Sequence, residues 1–187
     1  MRIISGRVRG RRLTAPKGLA TRPTTERVRE AWFSMLGPIE GQVADLYAGT
    51  GALGFEAISR GAEHVVFVES ARAACRAIRD NSQRLDVSDQ VTLLSTPIEN
   101  AAATIRARGP YDLILTDPPW THMSQAENAL RQLLRADLLS EGGVLVLGHP
   151  KGRVVELPRS GLRAFRERSW GDSGATFWCR DSDGGSL

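Results

Sequence analysis

The sequence predicts an α/β protein: a mostly parallel sheet closed by a C-terminal antiparallel hairpin, with a small N-terminal β-hairpin/helix extension. Three observations predict it. Short apolar runs at 43–47, 64–69, 91–95, 111–116 and 144–148 alternate with helix-like stretches at 53–60, 71–85, 98–108 and 124–139. Four such β-α repeats feeding a fifth strand imply parallel pairing through crossover helices. The runs are nearly continuously apolar, as strands covered on both faces are. Finally, 187 residues with 41% hydrophobic and 25% charged side chains have the size and make-up of one globular domain with its own core. That composition excludes collagen-like, disordered and disulfide-scaffold chains.

Residues 1–22 read as a basic arm or hairpin, with strand-like pieces Arg2-Ile3-Ile4-Ser5-Gly6 and Gly10-Arg11-Arg12-Leu13 around glycines. Residues 23–40 read as a docking helix. Thr24 or Thr25 caps it, Val28, Ala31, Trp32, Met35, Leu36 and Ile39 recur at helical spacing, and Gly37-Pro38 closes it. The repeats and the closing hairpin, whose strands flank Gly171-Asp172-Ser173-Gly174, make a domain over 41–181. The polar, glycine-rich 182–187 is expected to fray.

Only two cysteines occur, Cys75 and Cys179. They are far apart and match no metal-ligand spacing or disulfide framework, so no metal is expected and a reducing cytoplasm is. No apolar stretch approaches the ~18 residues of a membrane span. The Arg-rich start lacks the apolar core of a secretory signal.

The net charge of +4 is unevenly spread. Residues 1–30 hold nine basic and two acidic residues, a formal +7, while the other 157 hold 16 basic and 19 acidic, a formal −3. Such an arm is either a solvated charge run or a segment that meets a polyanion.

Asp45-Leu46-Tyr47-Ala48-Gly49-Thr50-Gly51-Ala52-Leu53-Gly54 ends the first strand and opens the first helix. Gly49, Gly51 and Gly54 match G-x-G-x-x-G, which lets backbone turn tightly against a ligand. Glu69 ends the second strand, where an acid can accept hydrogen bonds from both ribose hydroxyls of an adenosine. Two cofactor classes fit, a nicotinamide dinucleotide or S-adenosylmethionine. Asp45 favours the second, because a carboxylate there repels pyrophosphate and suits a ligand bearing ammonium and sulfonium groups. Neither Tyr47 nor Tyr111 has a lysine four residues on, so a Tyr-x-x-x-Lys dehydrogenase pair is missing.

The fourth strand ends in Asp117-Pro118-Pro119-Trp120. The prolines fix φ and remove two amide donors, giving a stiff loop whose carbonyls are expected to point outward unpaired. With the Asp117 carboxylate they can accept the N–H groups of an exocyclic amine while the indole stacks on its base, a contact worth about 1–3 kcal/mol. Accepting those protons frees a lone pair otherwise delocalised into the ring. The amine can then attack a methyl held in line, with positioning and oriented dipoles lowering the barrier.

Asp117–Trp120 resembles the fourth motif of amino-methyltransferases acting on nucleic-acid bases, and 45–54 resembles their first. Arg2-Ile3-Ile4-Ser5-Gly6, Arg9-Gly10-Arg11 and Arg22-Pro23-Thr24-Thr25-Glu26-Arg27-Val28-Arg29-Glu30 are similar to the RsmD family. Those enzymes use S-adenosylmethionine to methylate N2 of one guanine in small-subunit (16S) ribosomal RNA. Trp120 stands where Tyr or Phe is usual, and Ser5 where Gly is common. The resemblance implies a Rossmann-like class I methyltransferase sheet. It implies that Asp45, Tyr47, Gly49, Gly51 and Glu69 hold the cofactor, with adenine contacts at Thr96 and Ile98. Asp117, Pro118, Pro119 and Trp120 are then the catalytic set. Arg9, Arg11, Arg12, Arg22, Arg27 and Arg29 are the expected RNA contacts, although the last three sit near the docking helix, where some could pair with carboxylates. The expected partner is 16S ribosomal RNA in an assembling small-subunit particle, met by a monomer without a membrane.

His64, His122 and His149 show no triad-like partner, and Trp32, Trp170 and Trp178 read as core. Three other functions compete: an adenine-N6 methyltransferase acting on DNA, a nicotinamide-dependent oxidoreductase, and a non-catalytic RNA-binding assembly factor.

Overall fold

The computed structural model describes residues 1–15, 25–134, 138–157 and 161–181. In chain order the elements are α1 (Glu26–Leu36), β1 (Gln42–Leu46), α2 (Ala52–Ser59), β2 (His64–Val68), α3 (Arg72–Leu85), β3 (Val91–Leu94), α4 (Ile98–Arg108), β4 (Tyr111–Thr116), α5 (Met123–Leu133), β5 (Leu139–Pro150), β6 (Leu162–Trp170) and β7 (Ser173–Arg180). The strands form one sheet in the order β3-β2-β1-β4-β5-β7-β6. β1 to β5 run parallel, whereas β7 is antiparallel to β5 and β6 to β7. Strand order reverses between β1 and β4, so a crevice opens outside their carboxyl ends, where open α/β sheets bind ligands.

The apolar runs are continuous because each strand feeds two cores. Val43, Val65, Phe67, Leu113, Leu115 and Val146 pack with Ile3, Leu13, Trp32 and Phe33 on one face. Ala44, Leu46, Val66, Val68, Ile114, Leu145 and Leu147 pack with α4 and α5 residues on the other. Successive side chains point to opposite faces, so neither face can be polar.

Thr25 caps α1, its side chain accepting the Val28 amide at 3.3 Å. Trp32, Phe33 and Val28 turn inward, and Trp32 meets Phe177 of β7 edge-on at 6.4 Å between centroids. Residues 1–15 are stitched to the body. Glu56 of α2, fully buried, accepts the Ile4 and Ser5 amides at 2.8 and 3.0 Å and pairs with Arg60 at 2.7 Å. Asn81 of α3 exchanges two hydrogen bonds with the Thr14 backbone.

One boundary departs from the sequence expectation. The helix expected over 124–139 ends at Leu133, and Leu139 instead opens β5 opposite Tyr111. Leu138 and Leu139 are buried in the same core as Leu130 and Leu133, so apolar spacing carries on unbroken while the backbone changes from helix to strand. The expected tail, 182–187, lies outside the described residues.

Candidate active site

The loop leaving β1 turns sharply because Tyr47 and Gly49 both adopt positive φ, at 59° and 55°. A Cβ on Gly49 would meet nothing within 4 Å, so the space beside its backbone is open to a ligand. Gly54 serves packing instead: a Cβ there would come within 2.3 Å of the Phe67 ring, so only glycine lets α2 lie this close to β2.

Asp45 is 1% exposed on the same face as α2. One carboxylate oxygen accepts the Gly54 amide at 2.9 Å, while Oδ1 has no hydrogen-bond partner among the described residues. Burial holds this carboxyl well above its ordinary 3.8. The Gly54 amide works against that shift, and the nearby carboxylates of Asp117 and Glu69 add to it. Three acids from the ends of β1, β2 and β4 therefore share one crevice.

Glu69 follows β2 directly and is half-buried. The Gly49 and Ala71 amides, each at 2.7 Å, fix its two oxygens. Tyr47 packs against the core on the α4 side. Burial and the Glu99 carboxylate push its phenol up to about 12, so it stays a neutral hydroxyl. Thr96 is half-buried ahead of α4. Ile98, the other position expected near the adenine, has its side chain in the core, 3% exposed. What it offers a ligand is a backbone amide in the first turn of α4, where helical N–H groups lack helical partners.

The loop after β4 carries Asp117 half-buried, Pro118 buried and Trp120 41% exposed at the start of a short 3₁₀ turn (Trp120–His122). Here an expectation is corrected. The Pro119 carbonyl is not free; it accepts the His122 amide at 2.8 Å, because the 3₁₀ turn begins there. Only the Pro118 carbonyl lacks a hydrogen-bond partner among the described residues. The Pro118 carbonyl and the Asp117 carboxylate are the acceptors this loop carries at the end of β4.

Two neighbours of this loop escape sequence reasoning. A Cβ on Gly148 of β5 would come 2.3 Å from Asp117 Oδ1 and 3.0 Å from the Trp32 ring. Gly148 and the α1 tryptophan therefore form the wall on which Asp117 rests. A glycine at the carboxyl end of a strand beside the loop was the available signal.

The predicted RNA-binding arginines divide. Arg9, Arg12 and Arg27 are exposed. Arg11 is exposed, but its guanidinium donates to the Arg84 carbonyl. Arg29 corrects the expectation of an RNA contact. It is fully buried, pairs with Glu56 at 3.7 Å and donates to the Arg2 carbonyl. Burial lowers its pKa, with Glu56 opposing. Its position on the inward stripe of α1, beside Val28 and Trp32, explains why. Arg22 lies outside the described residues.

The sheet order, the glycine loop at its switch point and the acid-proline loop across from it are those of a Rossmann-like class I methyltransferase. Residues 1–179 match the family described as conserved hypothetical protein 95, and the chain belongs to it, the RsmD-type family. The Bacillus subtilis (strain 168) protein YlbH, whose name proposes an rRNA methyltransferase, is 37% identical over 185 residues, 95% of this chain and 98% of its own. The ribosomal RNA small subunit methyltransferase D of Escherichia coli (strain K12) is 37% identical over 123 residues, 64% of this chain and 60% of its own. Among solved structures, Escherichia coli yhhF, named provisionally as a methyltransferase, superposes with a TM-score of 0.83 at 28% identity, covering 97% of this chain and 98% of that one. Among the described residues, no helix is long and apolar enough to cross a membrane.

Proposed function

We propose that this protein transfers a methyl group from S-adenosylmethionine to the exocyclic N2 amine of a guanine in 16S ribosomal RNA. The observation that carries the reading is the meeting of Asp117–Trp120, at the end of β4, with the acid-lined glycine loop at the end of β1. The names of the relatives support the RNA substrate, and the RsmD resemblance supports guanine N2.

The residues suit the cofactor. Asp45 holds a buried, unpartnered carboxylate oxygen, a fit for a cationic ligand and a misfit for pyrophosphate. This stands against a nicotinamide dinucleotide. Glu69, locked by two amides, keeps further lone pairs that can accept from ribose hydroxyls. Tyr47, Thr96 and the first turn of α4 border the place for adenine. When bound, the cofactor supplies an electrophilic methyl on a sulfonium.

Trp120 stacks on the extruded base, which has to leave its helix to reach the site. Asp117 and the Pro118 carbonyl accept the two amine protons and turn the nitrogen lone pair toward the methyl. As the N–C bond forms and the S–C bond breaks, nitrogen becomes cationic. Its surplus proton passes to Asp117 or to water. No strong base is needed, because alkylation itself makes that proton acidic.

The test is transfer from methyl-labelled S-adenosylmethionine to small-subunit RNA or particles lacking the modification, followed by nucleoside mapping. Label on guanine N2 is the expected outcome. Label on adenine N6 would replace the guanine reading. No label in RNA, with cofactor bound, would overturn both.

A further inference from the structure

We propose that the outer face of β6 is a second RNA-binding surface, one that guides a single-stranded segment toward the catalytic edge. The inference rests on the RNA substrate proposed above. β6 is the last strand of the sheet, and every residue from Arg163 to Ser169 is exposed. Its sequence, Leu162-Arg163-Ala164-Phe165-Arg166-Glu167-Arg168-Ser169-Trp170, holds three arginines and one acid.

In a regular strand Arg163 and Arg166 would point to opposite faces. The register shifts between Ala164 and Arg166, and this bulge changes the outcome. Arg163 lies opposite Cys179, Arg166 opposite Phe177 and Arg168 opposite Ala175. Those three β7 residues alternate along their strand, so the arginines share one face of the sheet. It is the α1 face, since Phe177 and Ala175 pack in the core with Trp32. Phe165, at the bulge, is 40% exposed and points the same way, its ring edge-on to Phe177 at 6.2 Å. Arg163 forms an exposed pair with Asp181 at 3.2 Å. Among the described residues Arg166 and Arg168 have no ion-pair partner.

The strip leads to the chemistry. Trp170 and Pro150 are both opposite Ser173, so only β7 separates the upper end of β6 from the carboxyl end of β5, two residues beyond the Gly148 that packs against Asp117. Arg163 to Arg168 spans the four β7 steps from Cys179 to Ala175, about 14 Å, enough to meet two or three phosphates of one strand. Charged side chains on an edge strand also guard against sheet-to-sheet pairing. A bulge serves that guard as well, but an exposed phenylalanine among the arginines favours pairing and is not accounted for by it. A base stacked on Phe165 with phosphates on Arg166 and Arg168 uses all three.

The test compares R166E/R168E, R166K/R168K and F165S with the parent. Each is titrated with fluorescent oligouridine and with 16S ribosomal RNA at several salt concentrations, and calorimetry measures S-adenosylmethionine affinity. The reversed pair keeps the edge charged, so protection from aggregation is retained. It is expected to bind both RNAs at least tenfold more weakly, with a salt slope shallower by about 0.7 for each lost single-strand phosphate contact. F165S is expected to lose about fivefold or more. The lysine pair keeps most binding, and cofactor affinity stays within about twofold throughout, since these side chains are remote from the Asp45 crevice. RNA affinity and salt slope of R166E/R168E equal to the parent's would overturn the proposal. Should that variant not fold, R166Q/R168Q decides by the same readouts. Weakened oligouridine binding without methyl transfer by the parent would sink the proposed function and leave this surface standing. Transfer with unchanged RNA binding would do the reverse.

Discussion

Asp45 is where ligand binding and stability pull in opposite directions. In the unfolded chain its carboxyl ionises near 3.8; in the folded protein burial keeps the proton on to a higher pH. Between those two values the folded state binds more protons than the unfolded one, so stability falls as pH rises through that window. Below 3.8 the contribution is fully present. Asp45→Asn removes the titration while keeping an acceptor for the Gly54 amide. Without ligand, the variant is expected to melt higher than the parent at neutral pH and to show a flatter decline between acid and neutral pH. Calorimetry with S-adenosylmethionine should show the opposite order, weaker binding by the variant. Identical melting profiles across that pH range would contradict the account of Asp45.

At the scale of elements, the loop proposed to be catalytic is only as well placed as the strand and helix behind it. Gly148→Ala puts a methyl 2.3 Å from Asp117 Oδ1, too close for both, and the carboxylate is the group that gives way. Its effect is expected in kcat, about tenfold or more down, because misplacing a positioned acceptor loses transition-state stabilisation. Cofactor affinity should hold. A drop in cofactor affinity with unchanged kcat would assign Gly148 to the cofactor side instead.

This is also the scale at which legibility in the sequence divides. The five parallel strands were legible because both-face burial writes them as apolar runs, and the convergence of Asp45, Glu69 and Asp117 because all three stand at strand ends on one side of the sheet. The end of α5 was not, since Leu138 and Leu139 continue its apolar spacing in a different backbone. The Pro119 carbonyl was misread because the 3₁₀ turn that engages it carries no sequence signature. Arg29 reads as one basic residue among many; only helix packing puts it inside against Glu56. The one-sided arginines of β6 depend on a bulge, which register reveals and alternation hides.

For the whole molecule, the structure redraws the division between basic arm and acidic body. Ile3 and Leu13 are core residues, and residues 4–14 hang on Glu56, Ser59 and Asn81. The start of the chain is therefore part of the fold, and an average over 157 residues conceals a basic strand at the far edge of the sheet. Glu56→Ala leaves Arg29 charged and buried without its carboxylate while freeing the Ile4 and Ser5 amides. Removing one member of a buried pair costs about 3–5 kcal/mol, which denaturant titration would register as a marked fall in midpoint. A change within experimental scatter would mean that the start of the chain is held by its apolar contacts alone.

The central claim is that Asp117 acts on the amine that receives the methyl, and single-turnover transfer by Asp117→Ala tests it most directly. With saturating labelled S-adenosylmethionine and unmodified 16S ribosomal RNA, the rate is expected to fall about 10²–10³-fold, the usual cost of losing a positioned electrostatic partner. RNA binding should be kept and cofactor affinity should stay within a few-fold. Transfer at the parental rate would contradict the account and move the chemistry away from the loop at the end of β4.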